Sequence, residues 1–104
     1  MMSQTRIGAV LVVLAISQVA WAEHRLPVFD VKPECRAAES VMPDQKCLGD
    51  EQDARVALEG KWSSFVDGDR GHCIGETTAG GSPSYVDLLT CLELTSEARQ
   101  LEKK

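Results

Sequence analysis

Four cysteines constrain this chain more than any other feature of its sequence. They lie at Cys35, Cys47, Cys73 and Cys91, and 11, 25 and 17 residues separate them in turn. None of these intervals gives the close cysteine pairs that are typical of structural zinc sites or of redox-active dithiols. An even number of cysteines in a short exported chain is typical of a disulfide framework. The sequence therefore predicts two structural disulfides, and neither a metal site nor any other cofactor.

The N-terminal segment predicts export. Arg6 is the single charge before an apolar run that ends in AWA at residues 20–22, and the charged sequence EHR follows. The run is shorter than the about 20 residues that a membrane-spanning helix needs. Small residues on both sides of Trp21 suit the pocket of a signal peptidase. We predict a cleaved signal peptide at residues 1–22 and a periplasmic or secreted mature protein without membrane attachment.

The charge of the mature chain narrows the classes of partner. Cleavage would remove one basic residue and leave 10 basic against 16 acidic side chains, a formal charge of −6. Nucleic acids and anionic membrane surfaces attract basic proteins instead. We expect a protein partner, cationic where charge contributes to recognition, and no nucleic acid.

The mature chain divides into an arm and a helical domain. Residues 23–33 contain two prolines and no helical period, which indicates an extended N-terminal arm with Phe29 as the expected anchor on the core. Residues 34–104 form the predicted disulfide-stapled helical domain. Its first helix is expected over 34–41, with proline at its entry and another beyond its end.

Two longer helices are predicted to follow and to pack antiparallel as a hairpin. The first begins near Asp50 and carries one apolar stripe on a helical period. The second covers residues 83–102, and a loop over 74–82 joins the two. The predicted fold class is therefore all-α, a short helix plus an antiparallel helical hairpin. The predicted core consists of Leu58, Trp62, Phe65, Tyr85, Leu88 and Leu92.

Helix geometry favours one pairing of the four cysteines. At about 1.5 Å per residue, Cys91 lies about 12 Å along the last helix. Cys73 is expected at the end of the preceding helix, beside the connecting loop. Cys47 is expected about 35 Å away, at the far end of that helix. We therefore favour Cys35–Cys47 and Cys73–Cys91 over the two crossed pairings.

No residue pattern indicates catalysis. His72 precedes Cys73, but adjacent residues on a helix point apart, and a disulfide-bonded cysteine has no thiolate to activate. The acidic clusters are typical of helix starts and solvated helix faces. The Gly80-Gly81 loop lacks the lysine of a phosphate-binding loop, and the three core aromatic residues suit packing better than a ligand pocket. We predict no catalytic residues and no enzymatic activity.

Several loose motifs together resemble the LprI-like family of small exported proteins. They are Cys35…Cys47, Asp50–Asp53, Trp62…Phe65, Cys73, Gly80-Gly81-Ser82 and Cys91…Thr95…Arg99…Leu101. The resemblance implies a cysteine-paired helical fold, and the family takes its name from a lysozyme inhibitor. The chain departs from that family in a longer segment before Cys73 and a missing helix before Trp62. The run SYVDLLTCLEL also resembles short alphaproteobacterial periplasmic proteins, which implies no function.

Three functional hypotheses follow from the composition and the resemblance. The first is a non-enzymatic binding protein, inhibitor-like, whose acidic faces or Thr77–Ser82 loop would contact a cationic lytic enzyme of the cell wall. The second is a structural or accessory subunit that docks on an envelope complex through residues 23–33. The third is a redox or metal-binding protein, which free thiols or bound metal would support.

Overall fold

The computed structural model describes residues 25–103, so the predicted signal peptide lies outside the described residues. Over this range the protein is all-helical, which confirms the predicted fold class of a small disulfide-stapled helical domain. No helix in the described range is long and apolar enough to cross a membrane. The elements are α1 Lys32–Ala37, α2 Asp44–Lys61, a 3-10 turn Trp62–Ser64, α3 Asp67–Ala79 and α4 Tyr85–Glu102.

Helix α4 lies at the centre of the fold, because both α2 and α3 pack against it. Along α2, Glu51 contacts the backbone of Tyr85, and Lys61 contacts Glu93. The partners on α4 follow the same order as the residues on α2. These two helices therefore run parallel.

Helices α3 and α4 form the antiparallel hairpin. Asp69 near the start of α3 pairs with Arg99 near the end of α4, and Thr77 near the end of α3 contacts Ser84 just before α4. The predicted hairpin instead paired the helix from Asp50 with the last helix. That prediction is wrong about which helix packs antiparallel to the last one. The chain reverses direction between α2 and α3, and the sequence pattern did not indicate this reversal.

Helices α1 and α2 both begin earlier than predicted. In α1 the carboxylate of Asp30 accepts a hydrogen bond from the Lys32 backbone N–H at 3.1 Å, so the helix starts ahead of residue 34. It ends at Ala37, and a turn follows it. Helix α2 starts at Asp44, directly after Pro43, so the predicted start near Asp50 is six residues late.

Helix α2 ends at Lys61, so the predicted continuous stripe from Ala54 to Phe65 is broken. The Ser64 hydroxyl donates to the Lys61 carbonyl at 2.6 Å, and Phe65 adopts an extended backbone at φ −82° and ψ 149°. Acidic side chains then occupy the first turn of α3, where the positive end of the helix dipole favours them. Trp62 remains buried on the 3-10 turn, whereas Phe65 is half-buried at the edge of the core.

Most of the predicted loop over 74–82 is helical, because α3 continues to Ala79. Ile74 packs against the core, and Thr77 is buried, so this turn of the helix is stabilised by tertiary contacts. The connection to α4 contains Gly81, whose φ of +84° is favourable only for glycine. Helix α4 begins at Tyr85 and is capped by Ser84, rather than beginning at Pro83 behind Ser82.

The two disulfides staple different parts of the fold. Cys35–Cys47 joins α1 to α2, and Cys73–Cys91 joins α3 to α4, with Cα–Cα distances of 5.5 and 5.7 Å. These are the pairs favoured from spacing. The premise for the second was wrong, however, because Cys73 lies in the middle of α3 and not at a helix end. The antiparallel packing of two helices, rather than proximity to a loop, brings the two sulfur atoms together.

The core forms where α2, α3 and α4 meet. Its buried members are Ala54, Leu58, Trp62, Cys73, Tyr85, Leu88 and Leu92. Five of the six predicted core residues are among them, and Phe65 packs at the rim. The N-terminal arm, described from Arg25, forms no helix or strand before Lys32, and its partly buried Leu26 and Phe29 pack against this core.

Candidate functional site

A buried carboxylate on α2 organises the start of α4. Glu51 is 3 % exposed, and its Oε1 accepts a hydrogen bond from the Tyr85 backbone N–H at 2.6 Å. Its Oε2 accepts one from the Ser84 hydroxyl at 2.5 Å, and that hydroxyl oxygen in turn accepts from the Asp87 N–H at 3.1 Å. The first N–H groups of a helix have no partners within it and carry partial positive charge. Glu51 therefore has a structural role, because it caps α4 across a helix–helix contact.

Thr77 closes the same network from the side of α3. Its hydroxyl accepts a hydrogen bond from the Ser84 backbone N–H at 3.0 Å and donates to the Ser84 carbonyl at 3.3 Å. Both groups of the Ser84 backbone thus bind the Thr77 hydroxyl, and the Ser84 carbonyl also accepts the Leu88 backbone N–H at 3.0 Å. The connection between α3 and α4 is fixed at its base, although it contains two adjacent glycines.

Tyr85 holds the N-terminal arm against the core. Its hydroxyl accepts a hydrogen bond from the Phe29 N–H at 2.8 Å and donates to the Pro27 carbonyl at 3.0 Å. The rings of Phe29 and Tyr85 lie 4.9 Å apart, and the Arg55 guanidinium lies 5.9 Å from the centre of the Tyr85 ring. Tyr85 is therefore a structural anchor of the arm and not the wall of an open ligand pocket.

Replacement of Tyr85 by phenylalanine is expected to release the arm. The change leaves the ring in the core but removes both hydrogen bonds to the arm, so the free energy of unfolding should fall by about 1–2 kcal/mol. Amide hydrogen exchange at Phe29 should accelerate, while exchange in the middle of α4 changes less. Val28→Ala, on the exposed side of the arm, serves as the control; equal acceleration in both variants would contradict the role assigned to the hydroxyl.

Trp62 is also part of the structural framework. Arg70, buried on α3, donates from Nη1 to the Trp62 carbonyl at 3.1 Å and lies 5.6 Å from the centre of the indole ring. The same guanidinium pairs with Asp67 one turn earlier on α3. Arg70 therefore joins the start of the 3-10 turn to the next helix, through a carbonyl that also accepts the Phe65 backbone N–H.

An open groove runs between the outer sides of α3 and α4. It has a volume of about 450 Å³, and its floor includes the half-buried Cys91 of the second disulfide. Leu94 lines it and is 61 % exposed, so its apolar surface faces solvent. Two exposed carboxylates, Glu76 on α3 and Asp87 on α4, stand at its walls. We call this surface the α3–α4 groove.

Basic side chains near the groove are engaged with acidic ones. His72 lies on α3 one turn from Glu76, with 3.4 Å between its Nε2 and the carboxylate, and it does not face the disulfide beside it. Arg99 makes two hydrogen bonds to Asp69, at 2.7 and 3.3 Å. These bonds and the charge of Asp69 raise the pKa of the Arg99 guanidinium above its ordinary value. The Arg99 guanidinium is therefore engaged with Asp69.

The sequence analysis did not predict the buried polar roles of Glu51, Thr77, Ser84 and Arg70. It placed Thr77 in an exposed contact loop, which is wrong, because Thr77 is buried on α3. One signal was present for Glu51. Together with Cys47, Ala54 and Leu58 it occupies one stripe of α2 at spacings of four, three and four residues. A carboxylate on a buried stripe needs a partner, and that requirement pointed to a donor elsewhere in the fold. Nothing in the local sequence identified Ser84 and Tyr85 as those donors.

The described residues do not assemble a metal centre: within 25–103, no three His, Cys, Asp or Glu side chains are placed to hold an ion. Comparisons of the chain with protein-family models, with curated proteins and with solved structures give no match. The function is therefore inferred from the arrangement of the chain's own residues.

Proposed function

We propose that the protein is a small non-enzymatic binding protein of the periplasm or extracellular space, inhibitor-like in its mode of action. The observation that carries this proposal is that the buried polar side chains have structural roles, whereas apolar side chains are exposed on one helix. The buried polar groups of Glu51, Thr77 and Ser84 form hydrogen bonds that fix the backbone at the start of α4. Meanwhile Leu94 and Leu101 expose 61 % and 64 % of their surface on one helix. A rigid scaffold with exposed apolar side chains is suited to contact with another molecule.

Two features support the proposed location. The first is the signal-peptide pattern of residues 1–22, and the second is the pair of disulfides, which persist in oxidising compartments. The negative formal charge of the mature chain supports a cationic partner over a nucleic acid.

The packing of the N-terminal arm against the core argues against the accessory-subunit hypothesis. Docking through residues 23–33 would require their apolar side chains to face outward. In the described part of the arm, Leu26, Phe29 and Val31 pack against the protein's own core, and Val28 points outward at 84 % exposure. Deleting the arm would therefore remove core contacts as well as any docking surface.

The test of the proposed function uses the full chain, exported through its own leader and purified without reductant. The immobilised protein is exposed to periplasmic extract, and the captured proteins are identified by mass spectrometry. We expect saturable capture of a cationic envelope protein, lost when the same bait is reduced and alkylated. Capture of nothing specific would contradict a binding function. Turnover of lysozyme with excess oxidised protein tests the inhibitor version, and unchanged turnover would count against it.

A further inference from the structure

We propose that the α3–α4 groove is the docking surface of this protein, and that it accepts a segment of a protein partner in which apolar side chains are flanked by lysine or arginine. This inference rests on the proposed binding function and names the surface and the chemistry of the partner. The groove is large enough, at about 450 Å³, to admit several side chains of such a segment.

The apolar side chain of Leu94 in the groove belongs to a second stripe on α4, which continues beyond the groove. The core uses Tyr85, Leu88 and Leu92, which lie on the inner side of this helix. On the outer side, the stripe consists of Leu94, Ala98 and Leu101, spaced four and three residues apart, with the exposed Thr90 one turn before Leu94. Of these residues, Thr90 and Leu94 line the groove. This is helical spacing, so these side chains lie along one line on the surface. The helix is thus apolar on a side that its own fold leaves uncovered.

The charge around the stripe decides between possible occupants. Glu76 and Asp87 line the groove, and Glu97 lies exposed on α4 close to the outer stripe. Among the basic groups of α3 and α4, Arg99 is paired with Asp69, His72 lies 3.4 Å from the groove carboxylate of Glu76 itself, and Lys103 lies beyond the end of the helix. A second copy of this chain, with a formal charge of −6 after leader cleavage, would bring like charges together. A cationic segment would instead complement the acidic walls while its apolar side chains cover Leu94.

The first measurement maps where a cationic amphipathic peptide binds. The probe is a synthetic helical peptide of leucine and lysine, and the matched probe carries glutamate at every lysine position. The oxidised, isotope-labelled protein is titrated with each while its backbone amide resonances are followed. We expect the lysine peptide to perturb Glu76, Thr90 and Leu94 most, and the glutamate peptide to leave them unchanged. Perturbations spread over the surface, or centred on α2, would overturn the proposal.

Matched variants then test the contribution of each part of the groove. Leu94→Ser is expected to weaken the lysine peptide about tenfold, because a buried leucine contributes on that order to binding. Val56→Ser is the control, since Val56 is similarly exposed, at 56 %, but lies on α2. Glu76→Gln should weaken binding about threefold, against little change for Asp53→Asn on α2. Equal effects in each pair would contradict docking at the groove.

Two further outcomes separate this proposal from the proposed function. If a natural partner is captured but Leu94→Ser and Val56→Ser bind it equally well, the binding function stands and the groove is the wrong surface. If the groove is covered by a second copy of the chain, sedimentation will detect a dimer that Leu94→Ser dissociates, which also overturns the cationic-partner proposal. Loss of partner binding in Leu94→Ser, with unchanged thermal unfolding, supports it.

Discussion

Replacement of Glu51 by alanine is expected to lower the free energy of unfolding by about 3 kcal/mol. The change removes the acceptor for the Ser84 hydroxyl and for the Tyr85 N–H, two donors that lie in the interior. Buried donors without partners are costly, and the start of α4 would also lose its negative cap. Urea unfolding of the oxidised protein, followed by far-UV circular dichroism, measures the effect.

Two further variants distinguish the cap from a general effect of substitution on α2. Glu51→Gln keeps one acceptor oxygen and nearly the same volume, so it should cost about 1 kcal/mol. Asp53→Ala removes an exposed carboxylate two residues away and should change the free energy of unfolding by about 0.5 kcal/mol or less. If Glu51→Ala were no more destabilising than Asp53→Ala, the carboxylate would not be the element that joins α2 to α4.

The second large effect is expected from loss of the Cys73–Cys91 bond. Replacing both cysteines by alanine opens a link between residues 18 positions apart, which corresponds to about 3 kcal/mol. Cys73 is a fully buried member of the core, so loss of its sulfur also leaves a small cavity. We expect the hairpin of α3 and α4 to lose protection from hydrogen exchange together with the core.

Removal of the other disulfide is the matched comparison. Cys35 and Cys47 are 12 positions apart, and they join α1 to α2 outside the core cluster. Loss of this bond should also cost about 3 kcal/mol, but the loss of exchange protection should be greatest in α1. If the α3–α4 hairpin were exposed to the same extent in both variants, the two bonds would not staple separate parts of the fold.

The local sequence was a sound guide to helix existence and a poor one to helix ends. Leu58, Leu88 and Leu92 were placed in the core from helical spacing alone, and all three are fully buried. The break after Lys61 was missed because the apolar spacing continues through Trp62 and Phe65, even though the backbone does not. Glycine and threonine suggested a loop after Cys73, but packing of Ile74 and Thr77 against the rest of the fold keeps that segment helical.

The sequence by itself determined the disulfide framework, the all-helical class and most of the buried residues of α2 and α4, because these depend on composition and on periodicity within a few residues. Only the tertiary structure decided how the helices are directed and what the buried polar residues bind. Glu51 meets Ser84 and Tyr85 across separations of 33 and 34 residues, and Tyr85 meets Pro27 across 58. No local pattern encodes such pairs. The packing of α4 against α2 and α3 decides these residue pairs, and it also leaves Leu94 exposed on the outer side of α4.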